Sequence, residues 1–264
     1  MSTVVLQSYR TTNVAPWMTC CMQTVREWAA LRGFTYEFVD DALFDYASPQ
    51  LRALPRNSIL PLTDVARLGL LRARLASDYE RALWIDADVV IFRPEQLLVA
   101  DDGGAMLCHQ IWSSQDAQQR LVHRKGINNA FMMFRRGHPL LAFLHYSAVQ
   151  LYGHYDSATM PPTAIGTTFL TKLGTLLPIR LMPNVACLSP MLVSALVHGT
   201  NTEWLTEHAT QFGQPFYAAN LCHSMLSEGE EIAPHREKFS DAQLTTMVET
   251  LMHTRGRQLL SRDA

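Results

Sequence analysis

Apolar runs and stretches with helical spacing alternate through the first third of the chain, and this order constrains the fold more than any other feature. Apolar runs at 3–8, 35–39 and 82–85 predict three strands, and the apolar spacing of 17–31 and 62–75 predicts two helices between them. Strands that alternate with helices in this way form a parallel or mostly parallel sheet with right-handed crossovers. We therefore expect an α/β fold around a mixed, mostly parallel central sheet.

The third predicted strand ends in an acidic pair. Asp86 and Asp88 are separated only by Ala87 and are followed by the apolar run 89–92. Ligands of parallel sheets collect at the carboxyl ends of strands, so both carboxylates are placed where a ligand reaches them. Two carboxylates this close repel each other unless a cation lies between them. Oxygen ligands suit Mg²⁺ or Mn²⁺, and such an ion commonly joins carboxylates to the phosphates of a nucleotide.

Further segments combine with this pair to give a family resemblance. Residues 84–90 (Trp-Ile-Asp-Ala-Asp-Val-Val) look like the DXD motif of GT-A glycosyltransferases, and 62–71 resembles the S-D-x-x-R-Y helix that precedes it in family-32-like and family-8-like enzymes. Residues 128–134 and 137–139 are similar to the N-x-F-M strand and the G-H-P turn of family-32-like enzymes, and 161–173 resembles their G-P-x-x-L-T element. The motifs together, rather than any one of them, make the resemblance specific.

The resemblance covers most of residues 4–225 and implies a fold and an activity. It implies one Rossmann-like GT-A domain over 1–264, with a nucleotide-binding half (1–100), an acceptor-binding half (101–239) and a closing helix (240–264). The implied activity is metal-dependent transfer of a sugar from a nucleoside-diphosphate sugar, most commonly a UDP-sugar, to an acceptor hydroxyl. The implied outcome is retention of anomeric configuration. The acceptor would be a saccharide, a lipid-linked molecule or a small molecule.

Four residues receive the central roles by this resemblance. Asp88 would ligate Mn²⁺ or Mg²⁺ directly, and Asp86 would meet the metal, the donor ribose or both. Arg67 would contact the sugar nucleotide, and Asp64 would hold this arginine or the hydroxyls of the donor sugar. We assign catalysis to Asp86, Asp88 and Arg67. The alternative for Asp64 and Arg67, which are three residues apart on a predicted helix, is a surface ion pair.

A late histidine and two asparagines are further candidates. His223 follows an apolar run and resembles the late histidine that completes the metal site in family-8-like enzymes; neutral imidazole is a competent Mn²⁺ ligand. The alternative is a structural histidine. Asn128 and Asn129 precede the predicted strand 130–134 and resemble an asparagine that touches donor or acceptor hydroxyls. The alternative is a turn, and the sequence does not choose between the two asparagines.

The end of the first predicted strand falls where GT-A enzymes hold the nucleotide base. Gln7, Ser8 and Tyr9 occupy this position, and Tyr9 offers a ring on which a base can stack. An ordinary strand exit is the alternative interpretation. These three residues complete the predicted donor-binding set, together with Asp64, Arg67, Asp86, Asn128 and Asn129.

Aromatic residues separate into a core group and one binding candidate. We predict that Trp17, Trp28 and Trp84 belong to the core. Trp112 lies in the polar segment 111–125, which we interpret as a loop over the site, and is the tryptophan that we expect to stack on a sugar.

Composition excludes several other classes of protein. The chain has 264 residues, of which 48% are hydrophobic, so it supports a sizeable core and is not disordered. Its formal net charge is −2 and it has no long basic block, so nothing in the sequence favours nucleic acid as a partner.

The cysteines and the N-terminus bear on location. The five cysteines include no C-x-x-C spacing, and reduced thiols in a cytoplasmic protein are the simplest interpretation. We find no signal peptide and no apolar run of membrane-spanning length. Transient membrane contact with a lipid-linked acceptor is compatible with this picture. The sequence says nothing about the oligomeric state.

Two other functions fit the acidic pair. A haloacid-dehalogenase-like phosphatase also carries D-x-D after an apolar strand, and would use Asp86 as a nucleophile that forms an aspartyl phosphate. That class needs a later lysine, for which Lys172 is available, and a further acidic pair, which does not follow it. The second alternative is a GT-A protein that binds a nucleotide sugar without turning it over.

Overall fold

The computed structural model describes residues 2–100, 103–156, 159–226 and 239–260. In chain order, the strands of these residues are β1 (Thr3–Ser8), β2 (Thr35–Val39), β3 (Arg81–Ile85), β4 (Val89–Ile91), β5 (Ala105–Gln115), β6 (Leu121–Arg135), β7 (Leu181–Met182), β8 (Val185–Cys187) and β9 (Ala218–Asn220). The α-helices are α1 (Pro16–Leu31), α2 (Pro49–Arg52), α3 (Leu60–Ser77), α4 (Pro139–His154), α5 (Phe169–Gly174), α6 (Pro190–His198), α7 (Thr202–Phe212), α8 (His223–Leu226) and α9 (Asp241–His253). Two 3₁₀ helices (Asp41–Tyr46 and Arg257–Leu259) and a π-helix (Ala164–Thr168) complete the helical elements.

The strands form two sheets. The larger has the order β2-β1-β3-β6-β5-β7, and the smaller has the order β4-β9-β8. In the larger sheet β1 is parallel to β2 and β3, and β5 is parallel to β7, whereas β6 is antiparallel to both of its neighbours. Three of these five pairings are therefore parallel, which confirms the predicted α/β fold with a mixed, mostly parallel central sheet.

The two faces of the larger sheet are covered by different helices, because successive side chains of a strand point to opposite faces. Val4 and Leu6 of β1 pack in one core cluster with residues of α3 and α4. Val5, between them, packs in another cluster with Val25 and Trp28 of α1. The prediction that Trp17, Trp28 and Trp84 are core residues is confirmed, since each is at most 2% exposed.

The sequence predicted the boundaries of the first helix closely. α1 begins at Pro16, whose fixed φ suits the first helical position. Gly33 follows its end with φ +67°, the left-handed conformation that glycine adopts without a steric penalty. The helix packs against β2 and β4, and so fixes the sheet at the end where Asp86 and Asp88 lie.

The prediction of a loop at 111–125 was wrong. This segment forms most of a long β5–β6 hairpin in which Ile111 pairs with Lys125 and Gln115 with Leu121. Its polar residues alternate between the two faces of a strand. Ser113 is polar but fully buried. Its hydroxyl is satisfied there by hydrogen bonds with His123 of β6 and His208 of α7.

An irregularity in β6 shapes the site. Leu107 pairs with Met132, but the next residue of β5 pairs with Asn128, so three residues of β6 are left out of this ladder. They turn instead toward β3, where the carbonyl of Ala130 accepts a hydrogen bond of 2.8 Å from the amide of Asp86. Asn128 and Asn129 therefore lie inside a strand, beside a bulge, and not before the strand as predicted.

The C-terminal helix is shorter than predicted. Ser240 and Gln243 form a capping box at the start of α9. The helix ends at His253, before the predicted end at 264. Gly256 follows with φ +67° and lies against the ring of Phe92, so the chain turns there and does not continue as a helix to 260. Residues 261–264 of the predicted closing helix lie outside the described residues. Among the residues that the structure describes, no helix is long and apolar enough to cross a membrane.

Candidate active site

A cleft of about 280 Å³ lies where β3, β6, β8 and β9 come together. Six of the ten residues predicted for the site line it, namely Asp64, Arg67, Asp86, Asp88, Asn128 and Asn129. The other four, Gln7, Ser8, Tyr9 and His223, do not line it. Further lining residues are Leu60, Gln110, Trp112, Ala130, Pro162, Thr163, Gly166, Thr167, Cys187, Asn220, Cys222, Ser224 and Met225.

Asp86 is held firmly from the β3 side. Its Oδ1 atom accepts hydrogen bonds from the indole Nε1 of Trp84 at 2.6 Å and from Nη1 of Arg67 at 2.9 Å. The guanidinium of Arg67 lies over the Trp84 ring, 4.9 Å from its centre. The backbone carbonyl of Asp86 accepts a further hydrogen bond from the side-chain amide of Gln7 at 3.1 Å. The carboxylate orientation is thus fixed before any ligand binds.

Asp64 and Arg67 form a buried network. Nη2 of Arg67 lies 3.3 Å from Oδ1 of Asp64, and the same oxygen accepts a hydrogen bond of 2.7 Å from the side-chain amide of Asn129. The backbone amide of Gly166 also bonds this carboxylate. Burial raises the pKa of Asp64 to about 6, although Arg67, Asn129 and Gly166 oppose the shift. Asp64 and Arg67 are 6% and 7% exposed, which rules out the alternative of a surface ion pair.

Asp64 lies deeper in its helix than predicted. α3 begins at Leu60, so Asp64 is the fifth residue and lies outside the first turn, where the N-terminal dipole acts most strongly. Gly166 packs directly against this point: a Cβ atom there would lie 2.9 Å from Oδ2 of Asp64 and 3.1 Å from Nδ2 of Asn129. Only glycine therefore fits at position 166 without displacing the network.

Asp88 has far weaker support. Its Oδ2 atom accepts a hydrogen bond of 2.6 Å from the backbone amide of His223, and its carbonyl accepts one of 3.1 Å from Leu221. Burial, followed by the Asp86 carboxylate, raises the pKa of Asp88 to about 7, although the His223 amide and Arg67 oppose this shift. No cationic side chain of the described residues forms an ion pair with it. Asp88 is thus a half-buried carboxyl group that pairs with no cationic side chain of the described residues.

His223 approaches Asp88 with its backbone, not with its ring. Its Nε2 atom lies 3.3 Å from the hydroxyl of Tyr9, and its ring packs edge-on against Trp17. Its Nδ1 atom is buried and has no hydrogen-bond partner among the described residues. Burial, followed by the charge of Arg10, lowers the pKa of His223, which favours the neutral imidazole. In the part of the chain that the structure describes, no three His, Cys, Asp or Glu side chains converge as a ready metal cluster.

The three residues predicted to hold a base lie next to the cleft. Gln7 is fully buried, and both ends of its amide are occupied: Nε2 by the carbonyl of Asp86 and Oε1 by the hydroxyl of Tyr36 at 3.0 Å. The hydroxyl of Ser8 donates to the carbonyl of Asp40 at 3.4 Å. Gln7 therefore supports Asp86 from behind, and its contact with a base stays a prediction, as do those of Ser8 and Tyr9.

Several cleft residues were not found from the sequence. Cys187 and Cys222 come from the ends of β8 and β9, and their Sγ atoms lie 3.5 Å apart beside the acidic pair. No local pattern marks them, because the convergence is purely tertiary. Gly166 lies in the segment 161–173 that resembled a family element, so a signal for this residue was present. Trp112, the predicted sugar-stacking residue, does line the cleft, but from a strand.

Comparison with known proteins identifies the fold. No family model matches the chain, and no curated protein matches it by sequence. A glycosyltransferase involved in the glycosylation of the major capsid of PBCV-1 matches with a TM-score of 0.52 and 11% identity, over 95% of this chain and 100% of that chain. Mouse xyloside xylosyltransferase 1 matches with a TM-score of 0.43 and 11% identity, over 86% of this chain and 99% of that chain. The likeness to the first of these shows that the chain has the mixed α/β fold of a GT-A-type glycosyltransferase.

Proposed function

We propose that this protein is a metal-dependent glycosyltransferase that moves a sugar from a nucleoside-diphosphate sugar, with UDP as the nucleotide, to an acceptor hydroxyl. One observation carries the proposal: Asp86 and Asp88 line a cleft in a glycosyltransferase fold, and only Asp86 has a cationic partner among the described residues. Arg67 balances the charge of Asp86, and a metal ion bound at Asp88 would balance the charge of the second carboxylate.

The residues present fit a hard divalent ion. Asp86 and Asp88 supply carboxylate oxygens, and Oδ2 of Asp86 accepts no hydrogen bond from the described residues. Mg²⁺ and Mn²⁺ are typically held by one or two carboxylates, with substrate phosphates filling other positions. When bound, such an ion supplies positive charge against the departing diphosphate. His223 stays a proposed third ligand, and its ring, which now lies against Tyr9, would have to turn toward the cleft.

The remaining roles follow from position. Arg67 orients Asp86, and its buried charge lies close enough to stabilise a bound diphosphate. Asn128 and Asn129 present amides to sugar hydroxyls, and Trp112 offers an aromatic surface to the acceptor or the donor sugar. Residues from 1–100 and from 101–239 both line the cleft, which supports the assignment of donor binding to the first range and acceptor binding to the second.

We infer retention of anomeric configuration from the acids of the cleft. Among the described residues, Asp64 is the one acid besides the pair that lines it, and Arg67, Asn129 and Gly166 already occupy its carboxylate. Asp156 and Glu203, which could act as bases in an inverting reaction, do not line the cleft. The acceptor oxygen would then attack on the face from which the diphosphate leaves. Its bond to the anomeric carbon forms as the carbon–phosphate-oxygen bond breaks, and its proton passes to the departing phosphate oxygen.

The phosphatase alternative has less support. It requires a lysine beside Asp86, the residue that would act as the nucleophile. Lys172, the lysine that the mechanism would use, does not line the cleft.

The cell compartment and the acceptor also belong to the proposal. All five cysteines are free thiols, including the close pair Cys187 and Cys222, which suits a reducing compartment such as the cytoplasm. The acceptor would be a saccharide, either free or lipid-linked.

The test is a screen of nucleotide sugars with bases U, G, C and T, each with and without Mn²⁺. We expect Mn²⁺-dependent sugar transfer or donor hydrolysis with one base, seen by NMR as a product of retained configuration. Asp88→Asn should lose it, and Asp78→Asn, which changes an exposed aspartate at the C-terminal end of α3, should keep it. Donor binding without turnover would favour the non-catalytic alternative, and phosphate release from p-nitrophenyl phosphate would favour the phosphatase.

A further inference from the structure

Helix α4 exposes an apolar face although its inner face is already buried. Its inner residues Leu141, Leu144, Ala148 and Tyr152 pack in the core with α3. On the outer side, Phe143 is 45% exposed and Tyr146 is 65% exposed. The 16 residues of the helix include no Asp, Glu, Lys or Arg. A helix face that exposes two large aromatic side chains and carries no charge is typical of an interaction surface.

The other long helices do not share this property. α1 exposes Gln23, Arg26 and Glu27 to solvent, and α9 exposes Gln243 and Glu249. The fold therefore places charged or polar residues on outer helix faces elsewhere, so the apolar face of α4 is a local feature.

A groove with a basic rim adjoins the N-terminal end of this face. It has a volume of about 570 Å³, and no acidic residue lines it among those that the structure describes. Its floor is apolar, with Leu75 and Leu141, and its basic lining residues are Arg72, Arg135, Arg136, His138 and His145. An apolar floor within an arginine rim matches a ligand that is itself apolar and anionic.

Arg136 of this rim is paired with Glu80 at 3.2 Å, and Arg72 has no such acidic partner among the described residues. The Nη1 atom of Arg72 donates to Nδ1 of His145 at 2.7 Å, and this arginine forms no ion pair with any described residue. Burial, followed by the charge of Arg72, lowers the pKa of His145, which keeps this ring a neutral acceptor. Arg72 thus points an exposed guanidinium at solvent with only a neutral partner. Guanidinium groups bind phosphate oxygens bidentately, which makes them suited to a phosphate-rich surface.

We propose that the outer face of α4 and the arginine groove dock this protein onto an anionic lipid bilayer. Phe143 and Tyr146 enter the interfacial layer, where aromatic side chains with an apolar body are favoured. Arg72 meets the lipid phosphates beside them. Charge complementarity selects this occupant, because no acidic residue among those described lines the groove and the partner of Arg72 is a neutral ring.

The surface lies next to the cleft. α4 packs on the π-helix Ala164–Thr168, whose residues Gly166 and Thr167 line the cleft. Docking would bring the cleft close to the membrane, which, under the proposed function, favours a lipid-linked acceptor.

The test is sedimentation with vesicles of phosphatidylcholine alone or mixed with phosphatidylglycerol. We expect binding to the anionic vesicles that weakens at high salt, and little binding to the neutral ones. Phe143→Ser with Tyr146→Ser should lower the partition coefficient by about tenfold, and Arg72→Gln by about fivefold. The matched control is Leu98→Ser with Leu176→Ser, which removes two leucines that are 63% and 79% exposed elsewhere and should bind as the unmodified protein does.

Two results would overturn the proposal. One is equal binding of the α4 double variant and its control, or no binding to anionic vesicles at all. The other is a dimer in sedimentation velocity that the α4 variant converts to a monomer, which would assign the face to a second copy of the chain. Tyr146→Ser alone keeps the test decisive if the double variant unfolds, as circular dichroism would show. The vesicle assay contains no donor or acceptor, so its outcome is independent of the proposed glycosyl transfer.

Discussion

The two acids of the pair stand in contrasting surroundings, although a single residue separates them. Asp86 receives a guanidinium, an indole N–H and, at its backbone, the amide of Gln7. The carboxylate of Asp88 receives the backbone amides of His223 and of Asp88 itself, and burial, followed by the Asp86 charge, raises its pKa to about 7. The negative charge of Asp86 is therefore balanced before a ligand binds, whereas that of Asp88 is not.

This difference indicates a division of labour within the pair. The Arg67 network fixes the position of one carboxylate, so that little reorganisation is needed when a ligand arrives. The side of Asp88 keeps an uncompensated half-buried acid, an arrangement that is unfavourable in isolation and is relieved by a cation.

The largest expected effect is a loss of stability when Arg67, the partner of Asp64 and Asp86, is replaced. Arg67→Met removes the cation that lies between Asp64 and Asp86, both of which would remain buried or half-buried. Removing one partner of such an ion pair costs about 3–5 kcal/mol in the free energy of unfolding. Urea unfolding measures it, with Arg26→Met, an exposed arginine of α1, as the control. A loss below about 1 kcal/mol would show that Arg67 does not compensate these acids.

Asp88→Asn should have the opposite profile. It removes a proposed metal ligand, so we expect kcat/KM to fall at least about a hundredfold, as for the loss of one strong electrostatic contact in a transition state. It also removes a half-buried charge beside Asp86, so the melting temperature should not fall. If the variant melts well below the unmodified protein while activity persists, then Asp88 is structural and the contrast is wrong.

Trp84→Phe removes one of the two hydrogen bonds to Oδ1 of Asp86 and should have a smaller effect than Arg67→Met. It deletes an indole N–H that donates at 2.6 Å while leaving an aromatic ring under Arg67. A hydrogen bond to a charged group contributes about 1.5–3 kcal/mol, so we expect a loss of about 2 kcal/mol in the free energy of unfolding. Trp28→Phe, in which the lost partner is a backbone carbonyl, is the control and should cost less. Equal losses would argue against a special role for the Asp86 anchor.

The effect that is smallest at neutral pH concerns a buried titratable group that does not line the cleft. His208 is fully buried, bonds the hydroxyl of Ser113 and stacks on Phe216. Burial, followed by His123, lowers its pKa from 6.5 to about 3, so the unfolded chain takes up a proton at higher pH than the folded one. Its contribution to stability is therefore complete above pH 6.5 and is lost as the pH falls towards 3, by about 1.4 kcal/mol per pH unit.

His208→Phe should remove this part of the pH dependence. The measurement is urea unfolding of both proteins at several values between pH 4 and 7, and the difference between their slopes is the quantity of interest. Parallel slopes would mean that His208 is hydrated in the folded state. The result calibrates what burial alone does in this fold, against which the added effect of Asp86 on Asp88 can be judged.

Much of the site was predictable because its parts obey local rules. The apolar run before Asp86 predicts a strand end, and the spacing of Asp64 and Arg67 predicts a shared helix face. The capping box at Ser240 was predictable for the same reason.

The errors arose where long-range pairing decides the structure. The segment 111–125 is polar by composition, and its strands exist because a partner strand and α7 bury one face. The bulge that places Asn128 and Asn129 within β6 follows from β3 competing with β5 for the same backbone. Cys187 and Cys222 meet only because β8 and β9 are adjacent in the second sheet. These three features depend on contacts between residues far apart in the sequence, so no local pattern predicts them.

The most direct test of the central claim is a calorimetric titration of Mn²⁺ in the presence and absence of UDP, on the unmodified protein and on Asp88→Asn. We predict that one Mn²⁺ binds per chain, that UDP strengthens this binding, and that Asp88→Asn weakens it by at least about tenfold. Unchanged Mn²⁺ affinity in Asp88→Asn, or no Mn²⁺ binding even with UDP present, would contradict the account that the uncompensated side of the pair awaits a cation.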